Sequence, residues 1–130
     1  MKNLKTLLLV AVAAAGMCLS IHTARAEDEH AMTGVLIDNM CGDKDANKTA
    51  DAAAKHKVAC ANKCADSGFQ LIVGDKHYKL DDAGNAKAKD YLSKDGASTM
   101  VTIEGKMDGE KMTDITSIKP AEKTEKKEEK

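Results

Sequence analysis

Cys41, His56, Cys60 and Cys64 are the residues whose types and spacing could do chemistry. Thiolates and imidazoles bind zinc or copper(I), and thiols can also pair as disulfides or act as redox nucleophiles. Residues four apart on a helix have Cβ atoms about 5 to 6 Å apart, whereas a disulfide needs about 3.5 to 4.5 Å. Cys60 and Cys64 therefore do not bond each other while a helix between them is intact. A disulfide would use Cys41, closing a loop of about 20 residues and contributing about 3 kcal/mol in the loop-entropy model. One thiol would then be left over. A metal tolerates the wider spacing, because sulfurs about 2.3 Å from one ion converge from adjacent helical turns. The predicted metal set is Cys41, Cys60, Cys64 and His56, for zinc or copper. His56 lies about 12 Å along a straight helix from Cys64, so one ion reaches both only where the helix bends, and otherwise His56 is peripheral. Met40, beside Cys41, reads as packing rather than as a thioether ligand.

The compartment decides how these thiols are kept. Lys2 and Lys5 form a positive start, Thr6 to Ser20 is uncharged and mostly apolar, and Ala24-Arg25-Ala26 has the small-x-small form of a signal-peptidase site. The chain is predicted to carry a signal peptide over 1–26 and to be periplasmic or secreted. The apolar stretch is shorter than the about 20 residues that span a bilayer. A lipoprotein reading through Cys18 is weaker still, because Met17 precedes it where a lipobox wants Gly or Ala, so Cys18 and His22 are expected to leave with the signal. An odd number of thiols then enters an oxidising compartment.

The signal holds three basic residues, so the mature part has 20 − 3 = 17 basic against 21 acidic side chains, a net charge of −4 with histidines neutral. Its aromatic residues are Phe69, Tyr78 and Tyr91. A mildly acidic surface with so few aromatics gives neither a phosphate footprint nor a stacking platform, so nucleic acid is not an expected partner. Pro120 to Lys130 is nearly all Glu, Lys, Ala and Thr and is expected to be disordered. With a flexible leader at 27–31 and a charged tail at 119–130, one small domain over 32–118 remains, expected to be a monomer. At that size a disulfide or metal is a plausible staple for stability alone.

Around the candidate ligands, Gly34 to Asp38 reads as a first strand, with Val35 and Ile37 on one face and Leu36 on the other. Cys41 follows in the turn Asn39-Met40-Cys41-Gly42. Thr49 to Asp66 is Ala-rich, lacks Pro and Gly, and stops at Ser67-Gly68, which predicts one main helix. Phe69 to Val73 and Lys76 to Leu80 flank Gly74-Asp75, a two-residue hairpin turn. Ala86 to Lys94 reads as a short helix, and Thr99 to Glu104 and Met112 to Ile118 as two more strands. The predicted fold is α+β, a small five-stranded OB-like β-barrel with its main helix between strands 1 and 2. An OB-type barrel usually carries its helix between strands 3 and 4, so this placement departs from that order.

His30 and His77 read as surface imidazoles. Asp43, Asp45, Asp51, Asp81 and Asp82 lack the twelve-residue calcium-loop pattern, and the run around Gly84 reads as a turn. No carboxylates are assigned to catalysis, and neither a phosphate-binding glycine loop nor a GxSxG elbow is present. The chain resembles a family of small secreted bacterial domains of unknown function, through Thr33-Gly34-Val35 to Asp38, Met40-Cys41-Gly42, Cys60-x3-Cys64 with Gly68, the Gly74 hairpin with Tyr78, and Val101 to Gly105. The resemblance implies an exported OB-like domain with clustered cysteines, and brings no activity or ligand. That family often has a His soon after the Cys-Gly turn, where this chain has Asp43-Lys44-Asp45. The expected function is an exported binding protein for a soft metal ion, not an enzyme. The alternatives are a disulfide-stapled module that binds an exported partner, and a thiol-redox protein in which His56 activates Cys60 and Cys41 resolves it.

Overall fold

The computed structural model describes residues 29–122. The predicted signal peptide, Cys18, His22 and the end of the charged tail lie outside the described residues. The elements in chain order are β1 (His30–Asp38), α1 (Asn39–Gly42), α2 (Ala50–Ala53), α3 (Val58–Lys63), β2 (Phe69–Val73), β3 (Lys76–Leu80), α4 (Asp82–Leu92), β4 (Met100–Asp108) and β5 (Lys111–Pro120). β1 starts at His30, ahead of the predicted Gly34, and β5 runs on to Pro120. Both ends extend because their ladders do: His30 pairs with Gly105 and Pro120 with Val101, so backbone bonding carries polar residues that the hydrophobic pattern could not claim.

The fold is α+β, with one five-stranded mixed sheet in the order β1-β2-β3-β5-β4 that rings round to β1. Every neighbouring pair is antiparallel except β3 with β5, which run parallel and meet only at Lys79 with Lys111 and Leu80 with Met112. β1 serves two neighbours, pairing with β4 up to Val35 and with β2 from Val35 onward. Gly34 sits at that changeover. A Cβ there would lie 2.2 Å from the backbone oxygen of Ile72, so only a residue without one lets β2 close against β1.

The alternation read in β1 is borne out. Leu36 joins Phe69, Leu71, Leu80, Ala88, Leu92, Val101, Ile103, Met112 and Ile115 in one buried cluster, whereas Val35 and Ile37 join Ile72 and Ala53 in a second. Both faces of β1 are thus buried, because the segment between β1 and β2 covers the one that the ring leaves outside.

That segment corrects the predicted main helix between strands 1 and 2. Thr49 to Asp66 forms two short helices, α2 and α3, separated by a turn at Ala54 and Lys55, by His56, and by extended backbone at Lys57. Thr49 caps α2 by accepting from the Ala52 amide at 3.3 Å. The reason for the break is tertiary. Ala53 is buried against Val35, Ile37 and Ile72 and Ala61 against the larger cluster, and one straight helix could not serve both. Tertiary packing here overrides helix propensity.

Among the described residues the longest helix is instead α4, between β3 and β4. It begins before the predicted Ala86, since Asp81 accepts from the Gly84 amide at 2.7 Å and caps it. The run read as a turn around Gly84 is therefore a helix start. Asn85 on its first turns accepts the Phe69 amide at 2.8 Å and so fixes the start of β2.

Candidate metal centre

Asp38, at the buried end of β1, organises the site. Its Oδ2 accepts from the Cys41 amide at 2.9 Å, capping the four-residue α1 and setting where Cys41 stands. Its Oδ1 lies 3.2 Å from His56 Nε2. Asp38 is fully buried, so its carboxylate depends on these contacts in place of water.

Cys64, the residue that closes α3, completes the group. One ligand atom each from Asp38, Cys41 and Cys64 lie within 4.8 Å of one another. Two thiol sulfurs and a carboxylate oxygen at that separation can converge on a single small cation, whose own bonds would be about 2.0 to 2.3 Å long.

Of the four predicted ligands, the structure brings Cys41 and Cys64 together and places His56 against Asp38. Cys60 is exposed and stands outside the group. The chain does bend after α2, but His56 does not join Cys41 and Cys64 and stands against Asp38 instead. The break after α2 leaves His56 outside both helices, next to the extended Lys57, and its ring reaches Asp38. Asp38 was missed by the sequence reading. Its signal was positional: an Asp at a strand end, three residues before Cys41, is the pattern of an N-cap. Among the described residues, the three thiols Cys41, Cys60 and Cys64 are unpaired.

Burial, followed by the negative charge of Asp38 and its hydrogen bond to the thiol, pushes the Cys41 pKa up, with the neighbouring Cys64 adding to the rise and Lys44 opposing it. Thiolate at Cys41 is therefore disfavoured until a cation arrives to offset the carboxylate. In the metal-free reduced protein, iodoacetamide at pH 8 should label the exposed Cys60 first and Cys41 last, followed by peptide mass mapping. The sign for stability follows from the raised value. Protonated Cys41 contributes stability that is fully present below a thiol's ordinary titration range and is lost as the pH climbs through the raised one.

A cleft of about 870 Å³ opens beside the site, walled by Asn39, Gly42, Asp43, Lys48 and Thr49 on one side and by Asp108, Glu110 and Lys111 on the other. Gln70, His77 and Lys79 line it, but no cysteine does. Among the described residues, no helix is long and apolar enough to cross a membrane. Comparison with family models, with curated proteins and with solved structures finds no match for the chain.

Proposed function

We propose that the protein is an exported zinc-binding domain whose ion is held by Cys41, Cys64 and Asp38, with His56 orienting the Asp38 carboxylate. The observation that carries this is the convergence of two thiols and one buried carboxylate from three separate segments within 4.8 Å. A carboxylate in the donor set favours zinc over copper(I), which prefers soft sulfur ligands. Three protein donors leave the fourth tetrahedral position to an exchangeable ligand, which suits a site that takes up and gives up its ion better than a closed structural one. The strand order and the helix between β3 and β4 support reading the ring as an OB-like barrel, with the ligands carried by its β1–β2 connection. This agrees with the resemblance to small secreted bacterial domains, and the export reading rests on the sequence of 1–26.

The test is native and denaturing mass spectrometry of mature protein, reduced and equilibrated with one equivalent of zinc. The expected result is one ion bound, lost on acidification, with Cys41 and Cys64 protected from alkylation and Cys60 labelled. Labelling of all three thiols in the presence of zinc would sink the proposal. The same proximity of sulfurs favours one other reading, a Cys41–Cys64 disulfide with Cys60 left free. Protein taken directly from the periplasm would then show a loss of two hydrogens and a peptide cross-link between those residues.

A further inference from the structure

The two sulfurs that would hold the ion also stand close to each other. Cys41 lies in the four-residue α1 and Cys64 at the end of α3, and both are half-buried, so a small reagent has access to them. Their ligand atoms are within 4.8 Å of one another. To bond at the about 2.05 Å of a disulfide, each side chain has to swing about its Cα–Cβ bond. The backbone on either side is pinned independently of the sulfurs. The Cys41 carbonyl accepts from the Lys44 amide at 3.2 Å and from Asn47 Nδ2 at 2.9 Å, and the Cys64 carbonyl accepts from the Ser67 amide at 3.0 Å and from Ser67 Oγ at 2.8 Å. None of these bonds uses a sulfur, so both anchors persist whether the thiols are apart or joined.

Cys60 is not a competing partner. The Cys64 amide donates to the Cys60 carbonyl at 3.2 Å, so the chain is helically wound between them. At that spacing the Cβ atoms lie about 5 to 6 Å apart, beyond the about 3.5 to 4.5 Å of a disulfide. Zinc and a Cys41–Cys64 bond therefore compete for the same two sulfurs. Once joined, the sulfurs carry no thiolate charge, and Asp38 alone is a single donor where zinc takes three or four from protein. The disulfide would replace the ion as the cross-link between the start and the end of the β1–β2 connection, which stays tied in either state.

We propose that the site is discharged by oxidation, a small-molecule disulfide converting the zinc-bound thiolates into a Cys41–Cys64 disulfide with release of the ion. One cysteine thiolate attacks a sulfur of the external disulfide, forming a mixed disulfide and expelling one external thiolate. The other cysteine thiolate attacks the protein sulfur of that mixed disulfide, forming the Cys41–Cys64 bond and expelling the second external thiolate. The two cysteine sulfurs give up two electrons and the external disulfide takes them. The two expelled thiolates gain protons from water, and zinc leaves as Zn²⁺, having no redox chemistry of its own. Release of this kind rests on the zinc reading and adds the signal that empties the site, in the oxidising compartment expected for an exported chain.

The experiment takes reduced mature protein loaded with one equivalent of zinc and exposes it to excess oxidised glutathione with oxygen excluded. Native mass spectrometry follows the ion, a chromophoric chelator too weak to strip the reduced protein reads its release, and peptide mapping without reduction locates the bonds. The expected result is one zinc released for each Cys41–Cys64 disulfide formed, with affinity lowered more than about a hundredfold by the loss of two ligands. Reduction with dithiothreitol should restore binding in full, and Cys60→Ser should release its ion in the same ratio. No ion on the reduced protein would remove the zinc reading, and oxidative release with it. Three results would instead leave that reading standing and overturn the release: an ion kept after the disulfide forms, thiols that stay reduced under the oxidant, or oxidation that ends in glutathione adducts or in bonds to Cys60. Loss of the release in Cys60→Ser would overturn it as well.

Discussion

Replacing Cys41 and Cys64 together by serine is expected to abolish stoichiometric zinc binding, whereas Cys60→Ser should leave affinity within about twofold of wild type. Loss of groups that merely orient ligands commonly lowers metal affinity about 10- to 100-fold, so removing two of the proposed ligands is expected to cost more than a hundredfold. Asp38→Asn should fall between, because the amide keeps the side chain's shape and can still cap α1 but offers the ion no charge. His56→Ala should cost about 10- to 100-fold, by freeing the carboxylate it steadies. Competition against a chromophoric chelator at pH 7 measures these four and the single Cys64→Ser variant. A Cys60→Ser penalty equal to that of Cys64→Ser would show that α3 presents the other thiol, and the assignment would fail.

Phe69→Ala is expected to cost about 3 to 5 kcal/mol, the usual penalty for truncating a fully buried aromatic side chain. Phe69 is among the largest fully buried side chains and starts the strand that joins β1 to β3. Small domains are stable by only about 5 to 15 kcal/mol, so this change removes a large share of the total. The midpoint of urea denaturation, followed by circular dichroism, measures it. Met40→Ala is the control, since Met40 is 60% exposed and a surface change of that kind stays within about 0.5 kcal/mol. A midpoint for Phe69→Ala close to that of Met40→Ala would contradict the packing described.

What was legible in the sequence is what local chemistry determines. Val35, Leu36 and Ile37 announce a strand by alternation, and Gly74-Asp75 announces the hairpin that pairs Val73 with Lys76. The proximity of Cys41 to one cysteine of the Cys60–Cys64 pair could be inferred, because only a turn and a helix separate them. Which cysteine it would be could not. That choice depends on the break at residues 54–57, where neither glycine nor proline gives warning and where two alanines are drawn to different apolar clusters. Asp38 was hidden for a similar reason. A carboxylate at the end of a strand looks like solvent-facing polarity until the following connection folds back and buries it. The start of α4 was legible in principle, since Asp81 is a good capping residue, but Gly84 two residues into the helix obscured it. Gly84 is needed there because Ile115 occupies the space that a Cβ would fill.

The short parallel join between β3 and β5 bears on the cleft. A hoop fastened at Lys79–Lys111 and Leu80–Met112 has its weakest clasp there, since every other seam runs longer. Lys79, Leu80 and Lys111 also form part of the cleft wall. Breathing of the hoop at this clasp would therefore widen the mouth of the cleft before it disturbed the ladder that carries Asp38, leaving the thiol cluster on the stiff side of the molecule.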